Sequence, residues 1–134
     1  MNQLQTNIAT LSAPTGRLLL AAIFIMSGIN KIGAYAGTQG YMEAMGVPGG
    51  LLPLVIALEI FGGLAVLVGY QAKLAALALA GFSVMSAILF HADFSDQMQM
   101  MSFMKNLTIA GGFLLIVAHG AGAYSLDNRR SDQV

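Results

Sequence analysis

The sequence predicts an all-α integral membrane protein, a bundle of four transmembrane helices with both termini in the cytoplasm. Three observations predict it. Only 9% of the residues are charged and 57% are hydrophobic, whereas a soluble domain carries about 25% charged residues. The apolar residues gather into four runs, each near the ~20 residues that a helix rising 1.5 Å per residue needs to cross a ~30 Å hydrocarbon core. The third run has almost no polar face, which a helix of a soluble bundle would need on its outer side. Six basic residues cancel six acidic ones, so a basic nucleic-acid binder, an acidic solvating chain and a disordered chain are excluded. The chain has no cysteine, which removes disulfides, thiolate catalysis and Cys-ligated metals.

The elements follow in order. Met1 to Thr15 is polar, without a cluster of positive charge or an apolar core. It reads as a retained tail, residues 1–16, rather than a signal peptide. The first run is Leu18 to Tyr35, bounded by Arg17 and interrupted late by Asn30 and Lys31. Ala36 to Gly50 is rich in glycine and contains Pro48, so no continuous helix crosses the membrane there; Tyr41 to Val47 fits a short amphipathic turn at the interface. The second run, Leu51 to Tyr70, holds one carboxylate, Glu59. The third, Ala72 to Phe90, is followed directly by His91, and the short link Gly69 to Lys73 makes runs two and three antiparallel neighbours. Ala92 to Met101 carries Asp93, Asp96 and the start of a methionine cluster, Met98, Met100, Met101 and Met104, read as an apolar loop dipping into the interface rather than a soft-metal site. The fourth run, Ser102 to Ala121, has Lys105 and Asn106 near its start and His119 near its end. The membrane domain is thus residues 17–127, followed by a tail, residues 128–134. With the N-terminus inside, Arg17, Lys73, Arg129 and Arg130 are cytoplasmic and Lys31 and Lys105 lie outward. That excess favours both termini in the cytoplasm.

An ionisable side chain within the bilayer costs at least ~2.5–3.5 kcal/mol, so each needs a partner or a wet site. Lys31 lies ~21 Å along the helix from Arg17, and Glu59 lies ~12 Å down a helix entering from the outer side, which puts them at nearly the same level. His91 ends the third helix on that side, and Lys105 and Asn106 begin the fourth there. Lys31, Glu59, His91, Lys105 and Asn106 therefore form a candidate intramembrane polar site in the outer half of the bundle. The facing agrees: Arg17, Ala21, Phe24, Gly28 and Lys31 share one side of the first helix, and Glu59, Gly62, Gly63 and Val66 share one side of the second. Ala76, Ala80, Ser83, Ala87 and His91 form a small-residue stripe on the third helix.

A plainer reading stands beside each candidate. A Lys31–Glu59 ion pair serves equally as a staple that sets helix register or as a proton-handling pair. His91 at a helix end suits a cap, and Arg17 suits a side chain snorkelling to the inner boundary. Gly28, Gly62, Gly63, Gly111 and Gly112 suit close helix packing. Two histidines at opposite ends of the bundle predict no metal or bis-His haem site. No GxGxxG after a strand, Walker loop or nucleophile elbow is present.

The segments RLLLAAIFIMSGINKI (Arg17–Ile32), LEIFGGLAVLVGYQAKLAAL (Leu58–Leu77), His91 and KNLTIAGGFLLIVAHGAGAYSLD (Lys105–Asp127) resemble the DoxX family of small four-helix bacterial membrane proteins. Arg17, Ser27, Gly28 and Lys31 correspond to the family's arginine and SGxxK. Leu58, Glu59, Gly62, Gly63 and Gly69 correspond to its LExxGG…G segment, and Lys105, Asn106, Gly111 and Tyr124 to Asp127 to its closing segments. Ala121 stands where the family often has proline. The resemblance implies an inner-membrane location and a quinone-linked or redox-associated small subunit, with a partner oxidoreductase subunit or a homo-oligomer around it. A small-solute transporter and a scaffold without chemistry are the competing functions. Membrane lipid is the surrounding partner, and no nucleic acid is expected.

Overall fold

The computed structural model describes residues 2–131. Helix α1, Gln3–Gly33, is followed by the short helix α2, Tyr35–Ala44. Then come α3, Gly49–Val68, α4, Ala72–Phe90, and α5, Gln97–His119. A final short helix, α6, spans Leu126–Ser131. No strand occurs among the described residues. Helices α1, α3, α4 and α5 are each long and apolar enough to cross a membrane. The main packing runs α1 on α3, α3 on α4 and α4 on α5, the last pairing being the most extensive.

The bundle is packed with small side chains inside and large ones outside. Ala21, Ala72, Ala76, Ala80, Ala110 and Ala121 lie in the core beside Phe24, Leu79 and Phe113. Leu19, Leu54, Phe61, Leu74 and Leu115 are exposed on the outer surface. Lipid tails are as apolar as Leu, so large residues gain nothing by facing inward, while small ones let backbones approach. The buried face of α1 is Arg17, Ala21, Phe24 and Gly28, the side on which the spacing placed them. A Cβ on Gly63 would lie 2.8 Å from Ile25 Cγ1 and 3.3 Å from the Ala21 carbonyl oxygen, and one on Gly28 2.5 Å from Ile60 Cγ1. Gly62 meets Leu79 and Gly112 meets Leu20 at 3.3 and 3.1 Å. Gly111 differs from this expectation, since its α-carbon faces open space.

Three further expectations are corrected. The polar segment read as a tail is helical from Gln3. Its start carries a capping box, in which the Asn2 side chain accepts from Gln5 N at 2.8 Å and the Gln5 side chain from Asn2 N at 3.1 Å. Thr6, Thr10, Ser12 and Thr15 then bond to the carbonyl four residues back, so polarity there reflects a helix leaving the apolar layer. At ~46 Å, 31 residues exceed the span of the hydrocarbon core. The interfacial helix α2 starts at Tyr35, earlier than the turn expected at Tyr41 to Val47. The methionine cluster is on helix rather than loop, because Asp96 caps α5 through Met98 N at 3.0 Å and starts it at Gln97.

Arg17 does not snorkel to the boundary. It is 2% exposed, and its guanidinium donates to the carbonyls of Leu67 at 2.7 Å, Val66 at 3.4 Å, Ala123 at 2.9 Å and Tyr124 at 2.8 Å. The last carbonyls of a helix run short of intrahelical donors, and Arg17 supplies donors to those of Leu67 and Val66, the latter shared with the Gly69 N–H at 3.2 Å. Asp127 completes this inner end: its carboxylate accepts from Gln71 N at 2.7 Å and Ala72 N at 2.8 Å, which start α4. Its own N–H donates to the Gly69 carbonyl at 2.8 Å. Gly69 has φ +71° and lies against Ser125, so a side chain there would be both strained and obstructed.

Candidate functional site

The far end of the bundle from Arg17 is built around Glu59. Its helix leaves regular α geometry for one wide turn, Leu58–Gly62, a π-helical segment flanked by α-helix on both sides. Such turns are rare and gather at functional sites, because they redirect a side chain without breaking the helix. Glu59 is 1% exposed. Lys31, on the last turns of α1, donates from Nζ to Glu59 Oε1 at 2.8 Å and to Ser27 Oγ at 2.6 Å. Ser27 sits one turn before Lys31 and holds the ammonium from its own helix. The Lys31 side chain is 26% exposed. Glu59 Oε2 is buried and has no hydrogen-bond partner among the described residues.

This pair borders a cavity of about 460 Å³ between α1, α3, α4 and α5, with residues of α2 on its wall. Lys31, Glu59, His91 and Asn106 all line it. The remaining wall is largely apolar, with Phe24, Met42, Val55, Phe82 and Ile109 among its members. Met42 is buried and Tyr41 stacks on Phe90 with ring centroids 5.4 Å apart, which seats α2 on the outer end of α4. Gln39 Nε2 adds a bond to the Gly49 carbonyl at 3.2 Å. His91 ends α4 with its backbone N–H on the Ala87 carbonyl at 3.0 Å, so it is both a helix terminus and a cavity residue.

Four of the five polar candidates therefore converge. Lys105 does not: it is exposed on α5 and is not part of the cavity wall. His119 lies at the opposite end of α5, exposed. No cluster of three or more His, Asp or Glu that would suit a metal occurs among the described residues. Besides the wide turn at Leu58–Gly62 and the partners of Arg17, two features escaped the sequence reading. One is the part played by α2 in walling the cavity, which its glycine-rich composition concealed. The other is the Asp127 cap at the inner end, for which the YSLD segment was the available signal.

An inside-out four-helix bundle with a charged pair at the edge of an internal cavity defines a small polytopic membrane protein with an intramembrane polar site. Residues 13–92 match the DoxX family model, and the chain belongs to the DoxX family. That match ends before α5, while two relatives extend the likeness over more of the chain. It is 56% identical to the inner membrane protein YqjF of Escherichia coli K12 over 111 residues, 83% of this chain and 85% of that protein. It is 32% identical to the inner membrane protein YphA of the same organism over 120 residues, 84% of this chain and 86% of that protein. No solved structure matches it. The protein is a multi-pass protein of the inner membrane, surrounded by lipid.

Proposed function

We propose that this protein is a small redox-associated membrane subunit whose outer-half cavity holds a lipid-soluble quinone. The observation that carries the reading is the cavity itself, mostly apolar and about 460 Å³ in volume, with the buried Glu59 and the partly exposed Lys31 paired on its wall. Pockets for small molecules have volumes of roughly 300–1,000 Å³, with apolar walls and a few placed polar groups. The family resemblance points to the quinone class. Lys31 fits such a guest, since its ammonium gives one N–H to Ser27 and one to Glu59 and keeps a third to donate to a quinone carbonyl.

When bound, a quinone supplies the capacity to carry two electrons and two protons. The chain's residues divide the remaining work. Lys31 and Glu59 fix the polar end and hold a proton donor and a proton acceptor side by side. His91 and Asn106, on the same wall, extend the polar surface away from the pair. Phe24, Phe82 and Met42 exclude water from the body of the cavity. Electrons enter through a partner oxidoreductase subunit, since the chain has no Cys to bind an iron–sulfur cluster.

The test uses protein purified into nanodiscs from native membranes, with its quinone content and any copurifying subunit measured. We expect the wild type to retain quinone and Lys31→Met with Glu59→Leu to fold but lose it. A double-mutant cycle on stability separates pairing from chemistry. A folded double variant that retains quinone and full activity would show that the pair is only structural glue.

A further inference from the structure

Four of the nine methionines, Met98, Met100, Met101 and Met104, fall within the first two turns of α5. All four are exposed, Met98 by 80%, and none of them lines the cavity. On a loop such side chains would have no fixed register, whereas a helix holds them in one. Successive residues turn by ~100° about a helix axis, so Met98, Met101, Met104 and Met100 follow one another around a single arc of ~160°. The half-buried Gln99, Ser102, Phe103 and Asn106 occupy the opposite side. The start of the helix is a firm platform. Asp96 caps it through Met98 N, Asp93 N donates to Gln99 Oε1 at 3.3 Å, and Phe94 meets Phe103 edge-on with ring centroids 5.0 Å apart. At 23 residues α5 is ~35 Å long and overruns the ~30 Å hydrocarbon core. It follows directly on the polar loop of Asp93 and Asp96, so its first turn reaches the layer of headgroups and water.

We propose that this arc binds a soft monovalent cation of the Cu(I) class through thioether sulfurs at the outer face of the membrane. Side chains three or four residues apart on a helix have Cβ atoms ~5–6 Å apart. That gives three adjoining pairs: Met98 with Met101, Met101 with Met104, and Met100 with Met104. Each side chain has rotatable bonds enough to turn its sulfur toward an ion shared with its neighbour. Thioethers are soft donors that select Cu(I), whereas Mg(II) and Ca(II) take oxygen ligands. The chain has no cysteine, so no thiolate competes for such an ion. Leucine would serve lipid contact with the same helix propensity, and what methionine adds on an exposed face is the sulfur. The Lys105 ammonium follows Met104 and opposes a cation, while the exposed Asp93 and Asp96 carboxylates at the helix start attract one. The site is separate from the cavity, so its failure leaves the reading of the cavity intact.

The experiment titrates the wild-type protein in nanodiscs, with carbon-13 in its methionine methyl groups, read by NMR. The probes are Ag(I), which is redox-inert, and Cu(I) kept reduced by ascorbate under anaerobic conditions. We expect saturable binding that moves the methyl signals of Met98, Met100, Met101 and Met104. Those of Met26 and Met85, which stand alone on α1 and α4, should stay in place. Mg(II) and Ca(II) should move none of them. Replacing all four methionines of the arc by Leu keeps the face apolar and should weaken Cu(I) binding roughly tenfold or more, measured against bicinchoninate as a competing chelator, because the soft donors are gone. Equal shifts at Met26 and Met85 would overturn the site, and so would equal shifts with Mg(II). An ion bound without movement of the four signals, as it would be at His91 or His119, would overturn it too, as would no saturable binding at all. Affinity retained by the four-Leu variant would have the same consequence. The methyl signals are read on the wild type, so the test stands even where the variant fails to fold.

Discussion

Arg17 joins segments that lie far apart in the chain, the end of α3 and the loop before α6, through four backbone carbonyls. Each is buried or partly buried, so removing the guanidinium leaves acceptors that neither water nor lipid replaces well. We expect Arg17→Ala to lower stability by at least ~2 kcal/mol in an SDS titration of the folded protein, given ~1–3 kcal/mol per stranded buried group. Arg17→Lys should recover only part of this, because an ammonium lacks the planar fork that reaches both segments. A loss below ~0.5 kcal/mol for the alanine variant would contradict the assignment. The glycines give a second test at this scale. Gly63→Ala brings a methyl against Ile25 and the Ala21 backbone and should destabilise by ~1–3 kcal/mol. Gly111→Ala meets nothing within 4 Å and should be neutral or stabilising, by up to ~1 kcal/mol of helix propensity. Equal effects of the two substitutions would refute the difference in packing.

At the scale of elements, the two ends of the bundle are held by different means. The inner end relies on helix termini capped from a distance, with Asp127 on α6 accepting from Gln71 N and Ala72 N. A carboxylate at a helix start is favoured both as a hydrogen-bond acceptor and by the helix dipole. Asp127→Ala should therefore cost about 1 kcal/mol, read as a lowered midpoint in thermal unfolding, with Asp93→Ala in the outer loop as a nearly neutral control. The outer end relies on side chains, the Lys31–Glu59 pair and the seating of α2 by Met42 and Tyr41. The wide turn at Leu58–Gly62 belongs to this end and departs from regular helix at the residue that carries the buried charge.

For the whole molecule, four membrane-crossing helices place the two termini on the same side. The excess of Arg17, Lys73, Arg129 and Arg130 over Lys31 and Lys105 predicts that this side is the cytoplasm. A C-terminal fluorescent-protein fusion should fluoresce and a C-terminal alkaline phosphatase fusion should be inactive; the opposite pattern would invert the topology. In that orientation the cavity lies in the outer half of the bundle and the Arg17–Asp127 end faces the cytoplasm.

Much of this arrangement was legible in the sequence because the bilayer imposes it. Four apolar runs of spanning length, small residues at helical spacing and isolated charges at matched depth determined the class of fold, the facing of α1 and the meeting of Lys31 with Glu59. Hydropathy and the 3.6-residue period act along one helix at a time, so they carry over without knowledge of the partners. The tertiary structure decided what depends on groups outside the helix in question. Arg17 looked like a boundary anchor because the carbonyls it binds belong to residues 66, 67, 123 and 124, and backbone carbonyls leave no mark in a side-chain pattern. The wide turn at Glu59 was hidden for a similar reason: it is a change in backbone hydrogen bonding over Leu58–Gly62, which a side-chain pattern does not report. The cavity, finally, is the volume left between four helices and the α2 that covers them, and no single segment encodes it.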